Sequence, residues 1–247
     1  MKRPVAVVIP AYRCSDRILD VLARIEESIS LVVVVDDRCP ERTGEMVRRL
    51  VDDSRVRVIL NDRNLGVGGA SAVGFAEAYG AGAEIIVKLD GDGQHFPEQV
   101  PGLVRPLALG EADMVKGNRL FDLAVCLRRM PIGRLLANVT LSLVSKPVTG
   151  YWDVADPACG FFAMHRKIVD RLPWPEIDNG YFFETDLLFW LGTLGARVAM
   201  VPMVPVYFNA GSSGRRVQLW REAVPFAFKS LRNLVRRVAR RSLSDIP

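Results

Sequence analysis

Two unbroken apolar runs, Val5-Ala6-Val7-Val8-Ile9 and Leu31-Val32-Val33-Val34-Val35, constrain this chain more than any other feature. Successive side chains of a strand point to opposite faces, so a run without polar alternation must be covered on both sides. Parallel sheets with crossover helices on each face meet that condition. Ile85, Ile86, Val87 and Leu89 repeat the pattern, and residues 56–60 add another strand. Between the runs the apolar period becomes helical: Ile18, Leu19, Leu22 and Ile25 within a helix expected over 15–28, then helices over 43–51 and 70–79. Residues 61–69 read as a loop. The second half is less regular. Met114 and Val115 suggest a short strand before Lys116-Gly117-Asn118-Arg119, and residues 132–144 a helix. Residues 156–162 form a loop leading into a strand, and 184–194 a helix with Glu184 and Asp186 in its first turn. Short strands are expected at 198–201 and 204–208, separated by Pro202. The fold class is α/β, a mostly parallel Rossmann-like sheet with helices on both faces.

In such sheets ligands bind beyond the carboxyl ends of the strands. Those ends carry Pro10-Ala11-Tyr12, Asp36-Asp37, Asn61-Asp62-Arg63-Asn64 and Asp90-Gly91-Asp92, so polar and acidic clusters converge on one rim. Asp90-Gly91-Asp92-Gly93-Gln94-His95 sets two carboxylates one residue apart among glycines. Hard divalent cations take such oxygen ligands and hold substrate phosphates as well, and glycines let the backbone approach a phosphate closely. Taken singly, an Asp-x-Asp reads equally as a polar turn.

Gly66-Val67-Gly68-Gly69-Ala70-Ser71 is not a dinucleotide fingerprint: Ser71 stands where the third glycine belongs, and the loop does not follow the first strand. There is no Gly-Lys-Ser/Thr of a Walker loop. It reads as a tight turn and helix start, or as a loop packed beneath a nucleotide diphosphate.

A chain of 247 residues suits one large α/β domain or two small ones. Its two histidines, His95 and His165, exclude a zinc site of several histidines and speak against a histidine-based triad. Cys14, Cys39, Cys126 and Cys159 form no CxxC pair and read as free thiols in a reducing compartment. The first residues lack the features of a signal peptide, and no run of about 18 apolar residues calls for a spanning helix. Charge is uneven. From residue 215 onward nine basic residues face two acidic ones, a net +7, which leaves residues 1–214 at −2 of the chain's +5. Apolar Leu219, Trp220, Val224, Phe228, Leu231, Leu234, Val235 and Val238 recur there at helical spacing among arginines. A basic amphipathic helix of this kind suits an anionic membrane surface. Nucleic acid is the rival polyanion, but the rim chemistry gives it no support. The alternative is a terminal helix packed on its own domain with a solvated basic face.

Taken in order, these pieces resemble family 2 glycosyltransferases of the GT-A fold. The matching segments are Val8-Ile9-Pro10-Ala11-Tyr12, Val35-Asp36-Asp37, Asn64-Leu65-Gly66-Val67-Gly68-Gly69-Ala70, and Asp90-Gly91-Asp92-Gly93-Gln94-His95-Phe96-Pro97. Gly117-Asn118-Arg119, Asp156-Pro157 with Gly160-Phe161, and Gly180-Tyr181-Phe182-Phe183-Glu184-Thr185-Asp186 follow. Within the family the chain looks most like the dolichol-phosphate-mannose-synthase-like branch, whose acceptor is a polyprenyl phosphate. The resemblance implies a GT-A domain over 1–210, and the charge and apolar spacing beyond it make 211–247 a basic amphipathic tail. It implies that Pro10, Ala11, Tyr12 and Asp37 line the nucleoside pocket, that Asp90 faces the ribose or the metal beside Gly91, and that Asp92 and Gln94 ligate Mg²⁺ or Mn²⁺. Arg119 would approach the phosphates of donor or acceptor. Asp156, Glu184 and Asp186 would lie on the acceptor side, Asp186 being the candidate base for a hydroxyl acceptor and Glu184 the runner-up; both also suit a helix N-terminus as plain dipole partners.

The expected activity is metal-dependent, inverting sugar transfer from a UDP- or GDP-sugar to polyprenyl phosphate, in the making of cell-envelope glycans. The expected location is cytoplasmic, peripheral on the inner membrane face. The alternatives are extension of a lipid-linked or surface glycan at a sugar hydroxyl, and a non-catalytic sugar-nucleotide-binding protein at the membrane. Two departures stand out: the first motif runs Tyr12-Arg13 where the family has Tyr-Asn, and the segment after the last strand reads Asn209-Ala210-Gly211-Ser212-Ser213-Gly214-Arg215-Arg216.

Overall fold

The apolar runs become the inner strands of a seven-stranded sheet in a computed structural model that describes residues 4–206 and 228–237. β1 (Val5–Ala11) and β2 (Leu31–Asp36) pair in parallel, with Val8 opposite Val33. β3 (Val56–Leu60) extends the sheet beyond β2, and β4 (Ile85–Lys88) lies on the other side of β1 in the same sense. β5 (Met114–Asn118) and β7 (Val198–Pro202) are parallel to each other. Between β4 and β5 sits β6 (Phe162–His165), antiparallel to both, which gives the order β3-β2-β1-β4-β6-β5-β7.

The two-sided burial demanded by the apolar runs is met by helices on each face. Ala6 and Val8 of β1, with Leu31, Val33 and Val35 of β2, point into a core shared with α3 (Gly66–Gly80) and α8 (Phe183–Thr193). Val7, Ile9, Val32 and Val34 point the other way, onto α1 (Ile18–Ala23), α2 (Thr43–Leu50) and α4 (Val100–Ala108). In the second half, α5 (Leu123–Arg129) and α6 (Ile132–Thr149) follow β5, and the short α7 (Arg166–Val169) follows β6. A last helix, α9, covers 228–237.

Three expectations change. The helix expected over 15–28 shortens to six residues, and Arg24, just past its end, donates from Nε to Glu98 Oε1 at 2.8 Å. The glycine-rich segment is the first turn of α3, in line with the helix-start reading, so the loop expected over 61–69 ends before Gly66. Gly66 takes φ +79°, and a Cβ there would stand 2.4 Å from the Asn179 carbonyl oxygen, so this turn packs directly against the 178–180 loop. Residues 204–206 are not strand, and 207–208 lie outside the described residues. The last turns of the domain expected over 1–210 and most of the tail expected over 211–247, including the Asn209–Arg216 departure, also lie outside them.

Candidate active site

β4 ends at Lys88, and the Asp90-Gly91-Asp92-Gly93-Gln94 loop leaves its carboxyl edge. Lys88 is 1% exposed inside an apolar strand. Its Nζ donates to Asp90 Oδ1 at 2.6 Å, to the Gly160 carbonyl at 3.2 Å and to Glu184 Oε1 at 3.4 Å. One ammonium thus ties together the acidic loop, the loop before β6 and the first turn of α8. Burial alone would lower the Lys88 pKa, but Asp90 and Glu184 hold it above the ordinary range. Burial would likewise raise Asp90, yet Lys88, His95 and Arg119 hold it below the ordinary range. Gly160 makes the crowding possible: a Cβ there would lie 2.8 Å from both Asp90 Oδ2 and Lys88 Nζ.

His95 closes the loop from behind. Its ring stacks on Phe161 with centroids 5.3 Å apart, and its Nδ1 accepts the Asp90 backbone N–H at 3.4 Å. Burial pushes its pKa down to about 4, with Lys88 and Arg119 contributing, so it is neutral at pH 7 and serves as an acceptor.

Asp92 accepts from Gln94 twice, the backbone N–H at 3.0 Å and Nε2 at 2.6 Å. Burial and the neighbouring Asp90 charge push its pKa up. Among the described residues no group of three or more His, Cys, Asp and Glu side chains is gathered as a metal site. The chain's own oxygens here come from two carboxylates and one amide. That donor set fits a hard divalent cation which completes its coordination with substrate phosphates, the usual habit of Mg²⁺.

Arg119 stands just past β5 and is fixed by Asp156, which is 1% exposed. Its Nε and Nη2 donate to Asp156 Oδ2 at 2.7 Å and Oδ1 at 2.8 Å, and its backbone N–H adds a third bond at 3.1 Å. A bidentate pair of this kind sets both position and plane of the guanidinium. Burial opposes the Asp156 charge, and Arg119 outweighs it, so the pKa is lowered. Nearby, Lys116 is fully buried, donates to the Cys159 carbonyl at 2.6 Å and lies 5.2 Å over the Phe162 ring; burial lowers its pKa.

The other expected residues divide. Pro10, Ala11 and Tyr12 do end β1 at this rim, with the Tyr12 ring half exposed. Asp36 accepts the backbone N–H groups of Cys39 at 2.7 Å and Gly44 at 2.6 Å, which ties it to the start of α2. Asp37, expected in the nucleoside pocket, accepts from Asn61 Nδ2 at 2.9 Å and from the backbone N–H groups of Leu65 and Gly66, each at 2.8 Å. Its carboxylate therefore holds the start of α3. Glu184 joins the acidic loop through Lys88. Asp186, the candidate base, stands in the first turn of α8. It is fully buried, its Oδ2 accepts the Asp178 N–H at 2.8 Å, and its Oδ1 accepts Asn233 Nδ2 of α9 at 2.6 Å. It latches the terminal helix to the domain. Sequence reasoning missed Lys88 and Lys116 as parts of the site. The available signal was a lysine inside an otherwise apolar strand, where a charge needs a partner.

A family profile described as Glycosyl transferase family 2 matches residues 6–172, more than half of the chain. The chain belongs to this family. It is a glycosyltransferase of GT-A fold, similar to the dolichol-phosphate-mannose-synthase-like branch. Among its relatives is an undecaprenyl-phosphate mannosyltransferase of Micrococcus luteus, 30% identical over 213 residues, covering 85% of this chain and 86% of that one. A polyprenol monophosphomannose synthase of Mycolicibacterium smegmatis is 29% identical over 202 residues, covering 80% and 75%. Glucosyl-3-phosphoglycerate synthase from Mycobacterium tuberculosis, solved with Mn²⁺ and UDP-glucose, superposes with TM-score 0.69 at 22% identity, over 92% of this chain and 79% of that one. At that identity the likeness speaks for the fold. The transferase's departure at Arg13 has a backbone consequence: Arg13 takes φ +54°, a left-handed conformation that the asparagine usual in the family adopts at lower cost.

Proposed function

We propose that this glycosyltransferase moves a sugar from a nucleotide-diphosphate donor to polyprenyl phosphate, with inversion and with the help of a divalent cation. The observation that carries the choice of acceptor is the commitment of every acceptor-side carboxylate. Asp186 holds Asn233 and the Asp178 N–H, Asp156 holds Arg119, and Glu184 holds Lys88. A sugar hydroxyl needs a carboxylate base within hydrogen-bond reach. A lipid phosphate is already anionic near pH 7 and needs positioning only. The names of the relatives from Micrococcus luteus and Mycolicibacterium smegmatis support the same acceptor class.

In this reading Tyr12, with Pro10 and Ala11, lies against the nucleoside, and Asp37 shapes the pocket by holding the start of α3. Asp90, Asp92 and Gln94 would hold Mg²⁺ or Mn²⁺, which supplies positive charge against the leaving diphosphate. Arg119, fixed by Asp156, presents its charge to a phosphate of donor or acceptor. Lys88 keeps Asp90 and Glu184 in place. The donor is a UDP- or GDP-sugar. The protein works peripherally on the cytoplasmic membrane face, with its basic C-terminal segment on anionic lipid; among the described residues no helix is long and apolar enough to cross a membrane.

The test is transfer of radiolabel from a panel of UDP- and GDP-sugars to undecaprenyl phosphate with Mg²⁺ or Mn²⁺. An acid-labile, lipid-extractable product is expected with one donor. It should disappear with chelator and fall about 100-fold or more in Asp92→Ala. Donor hydrolysis with no lipid product, but transfer to a glycan hydroxyl, would sink the acceptor assignment.

A further inference from the structure

Two lysines flank β6 in one row of the sheet. Phe162 is opposite Lys88 of β4 on one side and opposite Lys116 of β5 on the other. Residues paired across a ladder share a face, so both ammonium groups stand beside the Phe162 ring; that of Lys116 lies 5.2 Å over it. β6 is antiparallel to both strands, and the loop leading into it therefore lies beyond their carboxyl ends. Each lysine takes one carbonyl of that loop, Lys88 that of Gly160 at 3.2 Å and Lys116 that of Cys159 at 2.6 Å. Lys88 also binds Asp90 and Glu184 and so belongs to the acidic loop. Lys116 serves the other side of the rim.

Lys116 is fully buried, and burial lowers its pKa. An apolar side chain would fill this place without the cost of desolvating a charge. The bonds that the ammonium joins show its use. The Cys159 carbonyl accepts from Lys116, and the Cys159 N–H donates to the Asp156 carbonyl at 3.4 Å, which closes a turn. The Asp156 carboxylate accepts from Nε, Nη2 and the backbone N–H of Arg119, and Arg119 follows Lys116 by three residues along the chain. These bonds form a closed ring. Its inner end is Lys116, and its outer end is the Arg119 side chain, 17% exposed. The Lys116 charge also helps keep Asp156 ionised. We propose that Lys116 is a positioning residue for sugar transfer: it fixes the turn that carries Asp156 and, through Asp156, sets where the Arg119 guanidinium stands. Lys88 and Lys116 then divide the rim, one holding the acidic loop and the other the arginine.

The purpose of this arrangement rests on the assignment of Arg119 to a substrate phosphate, but the positioning is read without substrate. With isotopically labelled arginine side chains, the Arg119 Nε–H signal, identified by its loss in Arg119→Lys, should exchange slowly with water in wild type. Lys116→Met should quicken that exchange about tenfold or more. Val115→Ala truncates the neighbouring buried residue, whose side chain points to the opposite face, and should leave it unchanged. In the radiolabel assay Lys116→Met should lower kcat about 10- to 100-fold, as a small misplacement of a charged group does. Added to Arg119→Gln it should cost little more, because the group it positions is already gone. Folded Val115→Ala should keep the wild-type kcat. Lys116→Gln takes the place of the methionine variant if that one does not fold. Unchanged Arg119 exchange in the folded Lys116 variant overturns the proposal. So does a full further loss of transfer in the Arg119→Gln background, which would make Lys116 a general support of the sheet. Quickened exchange in a protein whose wild type transfers no sugar to polyprenyl phosphate would leave the positioning intact and sink only the acceptor reading.

Discussion

Lys88 is the residue on which most of the rim depends. Its ammonium is the shared partner of Asp90 and Glu184 and reaches Gly160 as well, in a place where water cannot replace it. Removing one member of a buried ion cluster leaves the remaining charges uncompensated. Lys88→Met should therefore lower the unfolding free energy by about 3–5 kcal/mol, read by denaturant titration. Adding Glu184→Gln should restore part of that loss, since one stranded carboxylate is then gone. Strict additivity of the two changes would refute the shared cluster. At this scale the sequence showed which residues carry charge, and placed Asp90, Asp92 and Arg119 at strand ends. It did not show pairing. Lys88 and Glu184 are 96 positions apart, and Asp186 and Asn233 are 47 apart. Such partners are chosen by the folded geometry, so neither pairing was legible in the sequence.

At the level of elements, the strands were the most legible because burial on both faces leaves little choice of residue. The start of α3 was placed four residues late because glycine disfavours helix on its own; contact with the 178–180 loop overrides that preference. The terminal helix shows the converse. Of the helical spacing expected over 217–241 the structure describes 228–237, and there the packed positions are Ser230 and Asn233 rather than the apolar ones. The latch is the Asn233–Asp186 bond, with Lys229 paired to Asp178 beside it. Asn233→Ala should cost about 1–3 kcal/mol by removing the close donor to buried Asp186 Oδ1, which keeps only Arg232 at 3.6 Å. Amide exchange should quicken in 228–237 and in the 178–186 segment, while β1, β2 and β4 keep their protection. Equal acceleration throughout the sheet would show that α9 is no separate unit.

For the molecule as a whole, the sheet places the carboxyl ends of β1, β2 and β4 on one rim, and among the described strands only β6 runs against the rest. That reversal brings the loop before β6, with Asp156 and Gly160, to the same rim as the acidic loop. A ligand that bridges the nucleoside side and the acidic loop would hold both halves together. Saturating Mn²⁺ with the correct nucleoside diphosphate should raise the melting temperature by about 5–10 °C, against little change with either alone. Chelator should remove the shift, and comparing UDP with GDP should identify the base. No shift with either nucleotide would count against the assignment of Asp90, Asp92 and Gln94 to a metal-bound diphosphate.

The sequence by itself determined a sheet buried on both faces, the helices between its strands and the rim where its polar clusters gather. These follow from local pattern: a period of two without polar alternation, a period near 3.6, and glycines and carboxylates where apolar runs stop. Only the tertiary structure decided that β6 enters antiparallel, that Lys88 joins Asp90 to Glu184, that Asp186 latches α9, and that Lys116 reaches the Cys159 carbonyl. Each of these depends on which distant segment lies alongside, and a one-dimensional pattern shows that a side chain needs a partner without naming it.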